Sequence, residues 1–263
     1  MVIQAKKSLG QNFLKNKGVL ERIVETGELS DADIVLEAGP GEGALTEKLL
    51  QKGCKVVAVE KDHRLIDLLK EKFEKEIKSE KFNLIEGDIL EFSPEKNGLT
   101  SGKYKIIANI PYYITGLFLR KFLETEIQPS KIVVMVQKEI ADRIVAKDGK
   151  ESILSISVKA YGEPKVIMKV SRGSFDPMPN VDSAILEISD ISENFFTQNG
   201  KKIDEKKFFE IVKAGFAHKR KILSANLKEI LGENLPQIFA ELNLSPNARA
   251  EDLKIQDWIN LAK

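Results

Sequence analysis

Between residues 33 and 137, short apolar runs of β type alternate with longer runs of helical period, and this alternation restricts the fold more than any other feature of the chain. "DIVLEAG" (33–39) reads as a strand, and "GALTEKLLQKG" as a helix ended by Gly53. "KVVAVE" (55–60) is the next strand, followed by a charged amphipathic helix through "HRLIDLLKEKFEKEI". "FNLIEGD" (82–88), "YKIIAN" (104–109) and "KIVVMVQ" (131–137) are further strands, with "GLFLRKFLE" helical between the last two. Such alternation predicts parallel β–α units in an α/β, doubly wound, mostly parallel sheet. Right-handed crossovers then bring the C-terminal ends of the strands to one edge, where ligands bind.

Downstream, "ILSISVKAYG" fits helix or strand, and "KVIMKV" and "SAILEIS" read as strands separated by the turn-rich "SFDPMPNVD". Beyond about residue 190 a polar connector leads into "FFEIVKAGFAHKRKILSANLKEIL", which has helical period and carries the basic "HKRK" (218–221), and short helices follow to Trp258. Two domains are expected, 1–189 and a small all-helical 190–263; 263 residues suffice for both cores. The longest apolar runs, such as "IVVMV", are far below the roughly 18 residues that span a bilayer. The N-terminal stretch lacks an apolar signal region. Cys54 is the single cysteine, which excludes an internal disulfide, and two scattered histidines give no zinc spacing. The expectation is a cytoplasmic protein with no metal and no membrane contact.

"EAGPGEG" (37–43) follows the first strand and opens a helix. Glycines there let the backbone turn tightly and approach a bound nucleoside. Gly39, Gly41 and Ala44 also fit the loose dinucleotide pattern, so NAD and a purely structural turn stand beside that reading. The downstream strand ends favour a nucleoside. Glu60 ends the second strand, where a carboxylate accepts from ribose hydroxyls; Asp88 ends the third, suited to an adenine amino group; Asn109 ends the fourth.

"EAGPGEG", "VEKD", "EGDIL" and "NIPYYI" resemble the motifs of S-adenosylmethionine-dependent methyltransferases that act on adenine N6, a Rossmann-like class I fold. With "LGQNFL" (9–14) and "FDPMPNVDSA" (175–184), the chain resembles more narrowly the ribosomal RNA small-subunit adenine dimethyltransferase family, from about residue 7 to 188 and more loosely beyond. The resemblance implies dimethylation at N6 of two adjacent adenines near the 3′ end of 16S rRNA, within an immature 30S subunit, by a monomer. It implies a cofactor site of Asn12, Leu14, Gly39, Gly41, Glu60, Asp88 and Asn109, with Glu37 orienting the loop.

On that reading Asn109 Oδ1 and the Ile110 carbonyl accept from the two N6 protons, and Pro111 fixes the backbone so that these acceptors converge. Tyr112 stacks on the flipped base, and Phe175 is its second wall by resemblance; Tyr113 is expected to pack on the domain body. Lys219, Arg220 and Lys221 match a basic stretch of the family's C-terminal domain, and with Lys6 and Lys7 they are expected to follow the RNA backbone. Glu151-Ser152 departs from the Tyr-Gly of many members, which bears on fine RNA recognition. Three alternatives stand beside this: an adenine dimethyltransferase for 23S rRNA of the macrolide-resistance type, a non-catalytic RNA-binding relative, and a NAD-dependent dehydrogenase. An intact glycine turn and Asn109 oppose the second, and the unexplained "NIPYYI" opposes the third.

Overall fold

Valine- and isoleucine-rich strands that bury both faces form the centre of a seven-stranded sheet in the computed structural model, which describes residues 4–6, 9–198 and 200–263. The strands are β1 (Ile34–Ala38), β2 (Lys55–Glu60), β3 (Phe82–Glu86), β4 (Tyr104–Asn109), β5 (Lys131–Gln137), β6 (Glu163–Val170) and β7 (Ser183–Ser189). Their order is β3-β2-β1-β4-β5-β7-β6. The first five are parallel, and β7 runs antiparallel between β5 and β6. From β1 the chain moves outward through β2 and β3, then returns to place β4 on the other side of β1. That reversal opens a crevice beyond the ends of β1 and β4, where ligands bind in doubly wound sheets.

The helices are α1 (Lys17–Thr26), α2 (Ala44–Gln51), α3 (His63–Lys72), α4 (Glu74–Lys78), α5 (Thr115–Leu123), α6 (Lys138–Ile144), α7 (Ile153–Lys159), α8 (Glu205–Gly215), α9 (Leu223–Leu231), α10 (Leu235–Glu241) and α11 (Ile255–Leu261). None among the described residues is long and apolar enough to cross a membrane. By contacts the chain forms two compact units: residues up to Ala141 with Glu163–Ile191, and Asp142–Gly162 with Ser192–Lys263. The helical unit thus takes in 142–162 as well as the residues beyond 191, so the division is not a single boundary at 189/190. Its apolar centre includes Phe196, Phe208, Ile211, Leu223 and Trp258, all nearly inaccessible.

Several local readings change. "HRLIDLLKEKFEKEI" is two helices, broken at Phe73, whose ring packs edge-on against Phe82 at 5.2 Å. A Cβ on Gly43 would stand 2.6 Å from that ring, so the break also fits Phe73 under the glycine turn. "ILSISVKAYG" becomes α7, started by a reciprocal capping box between Ser152 and Ser155. The expected helix through "HKRK" is interrupted: α8 stops at Gly215, where any side chain would meet Trp258, and α9 begins at Leu223. Asn226 Nδ2 closes the turn by donating to the carbonyls of Gly215 (2.6 Å) and His218 (3.2 Å). α1 was not anticipated, although Asn16 and the apolar spacing of Val19, Leu20, Ile23 and Val24 signal it; Asn16 Oδ1 caps it by accepting from the Val19 amide at 3.2 Å.

Candidate active site

A cavity of about 320 Å³ lies in the sheet unit, lined by residues 9–14 and by the turns that follow β1, β2, β3 and β4. The strand ends therefore deliver their polar residues into one volume. Gly39, Gly41, Glu37, Glu60, Asp88, Asn109, Ile110, Pro111 and Tyr112 all line it, as do Asn12 and Leu14.

Gly39 has φ +66°, and a Cβ added there would meet nothing within 4 Å, so a side chain would project into open space rather than into protein. Such a turn leaves room for a ligand against the backbone. Gly41 donates its amide to Glu60 Oε2 at 3.1 Å, and Glu60 Oε1 accepts from the Asp62 amide at 2.8 Å. Two backbone donors thus fix the Glu60 carboxylate at the tip of β2, while burial raises its pKa. Glu37, buried in β1, accepts from the Thr46 hydroxyl at 2.7 Å, which ties β1 to the first turn of α2 across the glycine turn. Burial pushes its pKa up to about 8.

Asp88 sits two residues past β3 rather than at its last position, because the strand ends at Glu86 and Gly87 makes the final ladder bond to the Glu60 carbonyl (2.9 Å). Its carboxylate accepts from Lys61 Nζ at 2.7 Å and from the Leu90 amide at 2.9 Å; the Lys61 bond holds its pKa below the usual carboxylate range.

Asn109 ends β4 and donates from Nδ2 to the Asn12 carbonyl at 3.1 Å. A carbonyl only accepts, so this bond dictates which end of the amide is which. Oδ1 is left as an acceptor with no partner among the described hydrogen bonds, and none of those uses the Ile110 carbonyl either. Pro111, at φ −58° and ψ 135°, turns the chain from the strand into a short 3₁₀ turn. Tyr112 is half-buried, and its hydroxyl shares a 2.6 Å hydrogen bond with Ser183 Oγ, which pins the ring; burial raises its pKa.

Two aromatic expectations change. Tyr113 does not pack on the domain body: it is 63% exposed and lies beside Gly10. Phe175 is 5% exposed, belongs to the apolar core cluster and does not line the cavity. It pairs in register with Leu14 in a two-residue antiparallel bridge, which turns its ring into the core. Lys6 is half-exposed, with Nζ 3.7 Å from Asp62 Oδ1; Lys7 falls outside the described residues. Lys219, Arg220 and Lys221 are exposed in the α8–α9 turn of the helical unit, away from any helix. Gln11, Asp62, Lys61 and Ser183 received no role from sequence, although all four lie inside the quoted motifs "LGQNFL", "VEKD" and "FDPMPNVDSA".

The molecule has close relatives of known kind. Residues 2–263 match the family of ribosomal RNA adenine dimethylases. The ribosomal RNA small subunit methyltransferase A of Dehalococcoides mccartyi (strain CBDB1) is 44% identical over 98% of this chain and 88% of its own length. Its namesake in Fusobacterium nucleatum is 38% identical over all of this chain and 98% of its own. Among solved structures, a dimethyladenosine transferase from Plasmodium falciparum superposes with a TM-score of 0.77, at 28% identity over 95% of each chain. The 23S rRNA methyltransferase ErmE superposes with a TM-score of 0.75, at 25% identity over 95% of this chain and 98% of its own. Strand order, cavity and near full-length identity agree: this chain belongs to the ribosomal RNA adenine dimethylase family.

Proposed function

We propose that this protein transfers methyl groups from S-adenosylmethionine to N6 of two adjacent adenines near the 3′ end of 16S rRNA, giving N6,N6-dimethyladenosines on an immature 30S subunit in the cytoplasm. The observation that carries the reading is the Asn109 amide. With Nδ2 committed to the Asn12 carbonyl, an uncharged acceptor remains on a cavity-lining side chain beside a second acceptor, the Ile110 carbonyl.

The residues suit the cofactor. Gly39 leaves space against the backbone, Glu60 offers a fixed acceptor for ribose hydroxyls, Asp88 accepts from an amino group, and Asn12 and Leu14 line the same cavity. When bound, S-adenosylmethionine supplies a methyl group already activated on a positively charged sulfur. The protein's part is to position N6 and change its electronic state. In free adenine the N6 lone pair is delocalised into the ring, which makes it a poor nucleophile. Asn109 Oδ1 and the Ile110 carbonyl, accepting from the two N6 protons, favour a pyramidal nitrogen with its lone pair out of conjugation. Alignment of this kind contributes up to roughly 7–11 kcal/mol in favourable systems. N6 becomes cationic on receiving the methyl and gives up one proton to solvent, because neither neutral acceptor is a base strong enough to keep it; the monomethylated nitrogen retains one proton and its lone pair for a second transfer.

Tyr112 replaces the stacking that a flipped base loses, worth about 1–3 kcal/mol. The Ser183 bond holds its ring before the base arrives. Phe175, packed in the core, acts as support for the Leu14 segment in this reading, and Tyr113 is the aromatic left at the cavity rim. The exposed Lys219, Arg220 and Lys221 supply a sequence-independent phosphate contact, which weakens with added salt.

The test is methyl transfer from labelled S-adenosylmethionine to immature 30S particles, 50S particles and protein-free RNA, with the modified nucleotides mapped by primer extension. Transfer to two neighbouring adenines of the 30S particle supports the reading. Labelling of 50S particles alone transfers the assignment to 23S rRNA, and no transfer to any of the three rejects it.

A further inference from the structure

In the N-terminal strap, residues 9–14, the adjacent Gln11 and Asn12 bond to two different parts of the sheet edge. Gln11 is held on both sides of its carboxamide: Oε1 accepts from the Lys6 amide at 2.7 Å, and Nε2 donates to Asp62 Oδ2 at 2.9 Å. The Asp62 side chain is inaccessible to solvent and is gripped by Arg64 through Nε (2.9 Å) and Nη2 (2.6 Å). The Asp62 amide, in turn, donates to Glu60, whose other oxygen takes Gly41. The carbonyl of the next residue, Asn12, holds Asn109 Nδ2. Asn12 also reaches back, donating from Nδ2 to the Gly10 carbonyl at 3.2 Å. Gly10, at φ +63°, lies against Tyr113 and Pro111, 3.2 Å and 3.4 Å from where its Cβ would be. A side chain there would crowd the Tyr113 ring and Pro111, and the positive φ disfavours any residue with a Cβ.

We propose that Gln11 is a positioning residue for the transfer: by anchoring the strap to buried Asp62, it sets the Asn12 carbonyl that keeps the Asn109 amide with its oxygen free for adenine. This rests on the adenine role given above to Asn109. Gln11 suits the task because its carboxamide has a separate acceptor for the Lys6 amide and donor for an ionised aspartate on one side chain. The same chain joins the Glu60 carboxylate to Asn109, so the ribose and methyl-accepting ends of the site share one support.

Gln11→Met keeps length and apolar volume and removes both bonds. Its loss should fall on kcat, about 10- to 100-fold, as expected for a misplaced catalytic group. Cofactor affinity, read by calorimetry, should change far less. In an Asn109→Asp background the side chain has no N–H for the Asn12 carbonyl, the linkage is already broken, and Gln11→Met should add little. A loss confined to cofactor KM, or equal costs in both backgrounds, overturns the proposal. So does a lowered Tm with unchanged kcat per folded molecule.

Gln11→Glu supplies a second arm. It still accepts from Lys6 but sets a carboxylate against Asp62, with Arg64 and Lys6 as the cations nearby. Its kcat deficit relative to the parent should shrink as pH falls towards 5 and the new carboxyl takes up a proton; a pH-independent deficit counts against the donor role. A third readout needs no activity. The Asn109 side-chain amide protons, assigned by Asn109→Asp in nitrogen-15 spectra, should exchange faster in Gln11→Met than in the parent. Faster exchange supports the linkage even if the parent methylates no ribosomal particle, so this arm separates failure of the functional reading from failure of the Gln11 assignment. Unaltered exchange overturns the linkage.

Discussion

Two pairs of carboxylates meet at one sheet edge and are held in opposite ways. Glu37 and Glu60 lie at the ends of β1 and β2, are buried, and receive only neutral donors: the Thr46 hydroxyl for the first, the Gly41 and Asp62 amides for the second. Burial raises both pKa values. Asp62 and Asp88, a few residues past strand ends, each hold a cation, Arg64 and Lys61, and both pKa values are lowered. Asp62 and Asp88 rest on a cation, which favours their ionised form. Glu37 and Glu60 rest on neutral hydrogen-bond donors, and burial favours their protonated form. Asn109 follows the second pattern, tethered by one neutral bond with its other atom open.

Asn109→Ala bears hardest on this contrast, because it removes an open acceptor without touching any ion pair. We expect kcat to fall by about 10²–10³-fold or more, by analogy with deletion of one preorganised hydrogen-bonding group from an active site. Circular dichroism and Tm should stay near those of the parent. Retained transfer would show that the amide oxygen does not engage N6.

Glu37→Gln probes the buried pair through pH. Glu37 titrates near 4.5 when unfolded and near 8 when folded, so the native state keeps a proton that the unfolded chain releases. The stability this confers is whole below pH 4.5 and drains as pH rises through 8. Over that window the loss amounts to a few kcal/mol at most. The glutamine variant, which still accepts from Thr46 but does not titrate, should hold Tm more nearly constant between pH 5 and 8.5. Parallel Tm profiles for the two proteins would place Glu37 among the ionised anchors instead.

Tyr112→Ala separates base capture from cofactor binding. The KM for RNA should rise by about 5- to 150-fold, the equivalent of 1–3 kcal/mol of stacking, with cofactor affinity unchanged. Tyr112→Phe keeps the ring and loses the Ser183 bond, so it should fall between the two. Equal losses for RNA and cofactor after Tyr112→Ala would argue against a stacking role.

How much of this was visible beforehand follows from what each feature depends on. The central parallel strands were legible because they bury both faces and so write nearly uninterrupted runs such as "KIVVMVQ", while the edge strand β3, with Asn83 exposed, was legible from its place in the alternation. Glu60 and Asn109 were legible because a polar residue closing such a run has no packing reason to be there. Asp62 and Gln11 were not, because their importance lies in a bond between residues 51 apart in sequence, and each alone reads as a polar loop residue. The core placement of Phe175 is hidden from the sequence for a related reason: its motif is local, but the direction of its ring is set by pairing with Leu14, far away in the chain. The break at "HKRK" was hidden because the apolar period continues through it, while the stop comes from Gly215 lying against Trp258.

The smallest effect, Lys61→Met, gives the contrast its sharpest form, because it should carry the opposite sign in pH. Lys61 is 55% exposed, so its bond to Asp88 is worth about 0.2–1 kcal/mol after solvent screening. Asp88 has its folded pKa below the ordinary value, so its contribution to stability is present above pH 3.8 and vanishes as pH falls through the folded pKa. Denaturation of Lys61→Met and the parent should therefore differ by less than about 1 kcal/mol at pH 7, with the difference closing towards pH 3 and in roughly 1 M salt, where exposed charges are screened. Glu37→Gln departs from the parent at the alkaline end and Lys61→Met at neutral pH, converging in acid. A Lys61→Met difference that survives both in acid below the folded pKa of Asp88 and in high salt would mean that the lysine acts by packing, and Asp88 would then owe its lowered pKa to the Leu90 amide.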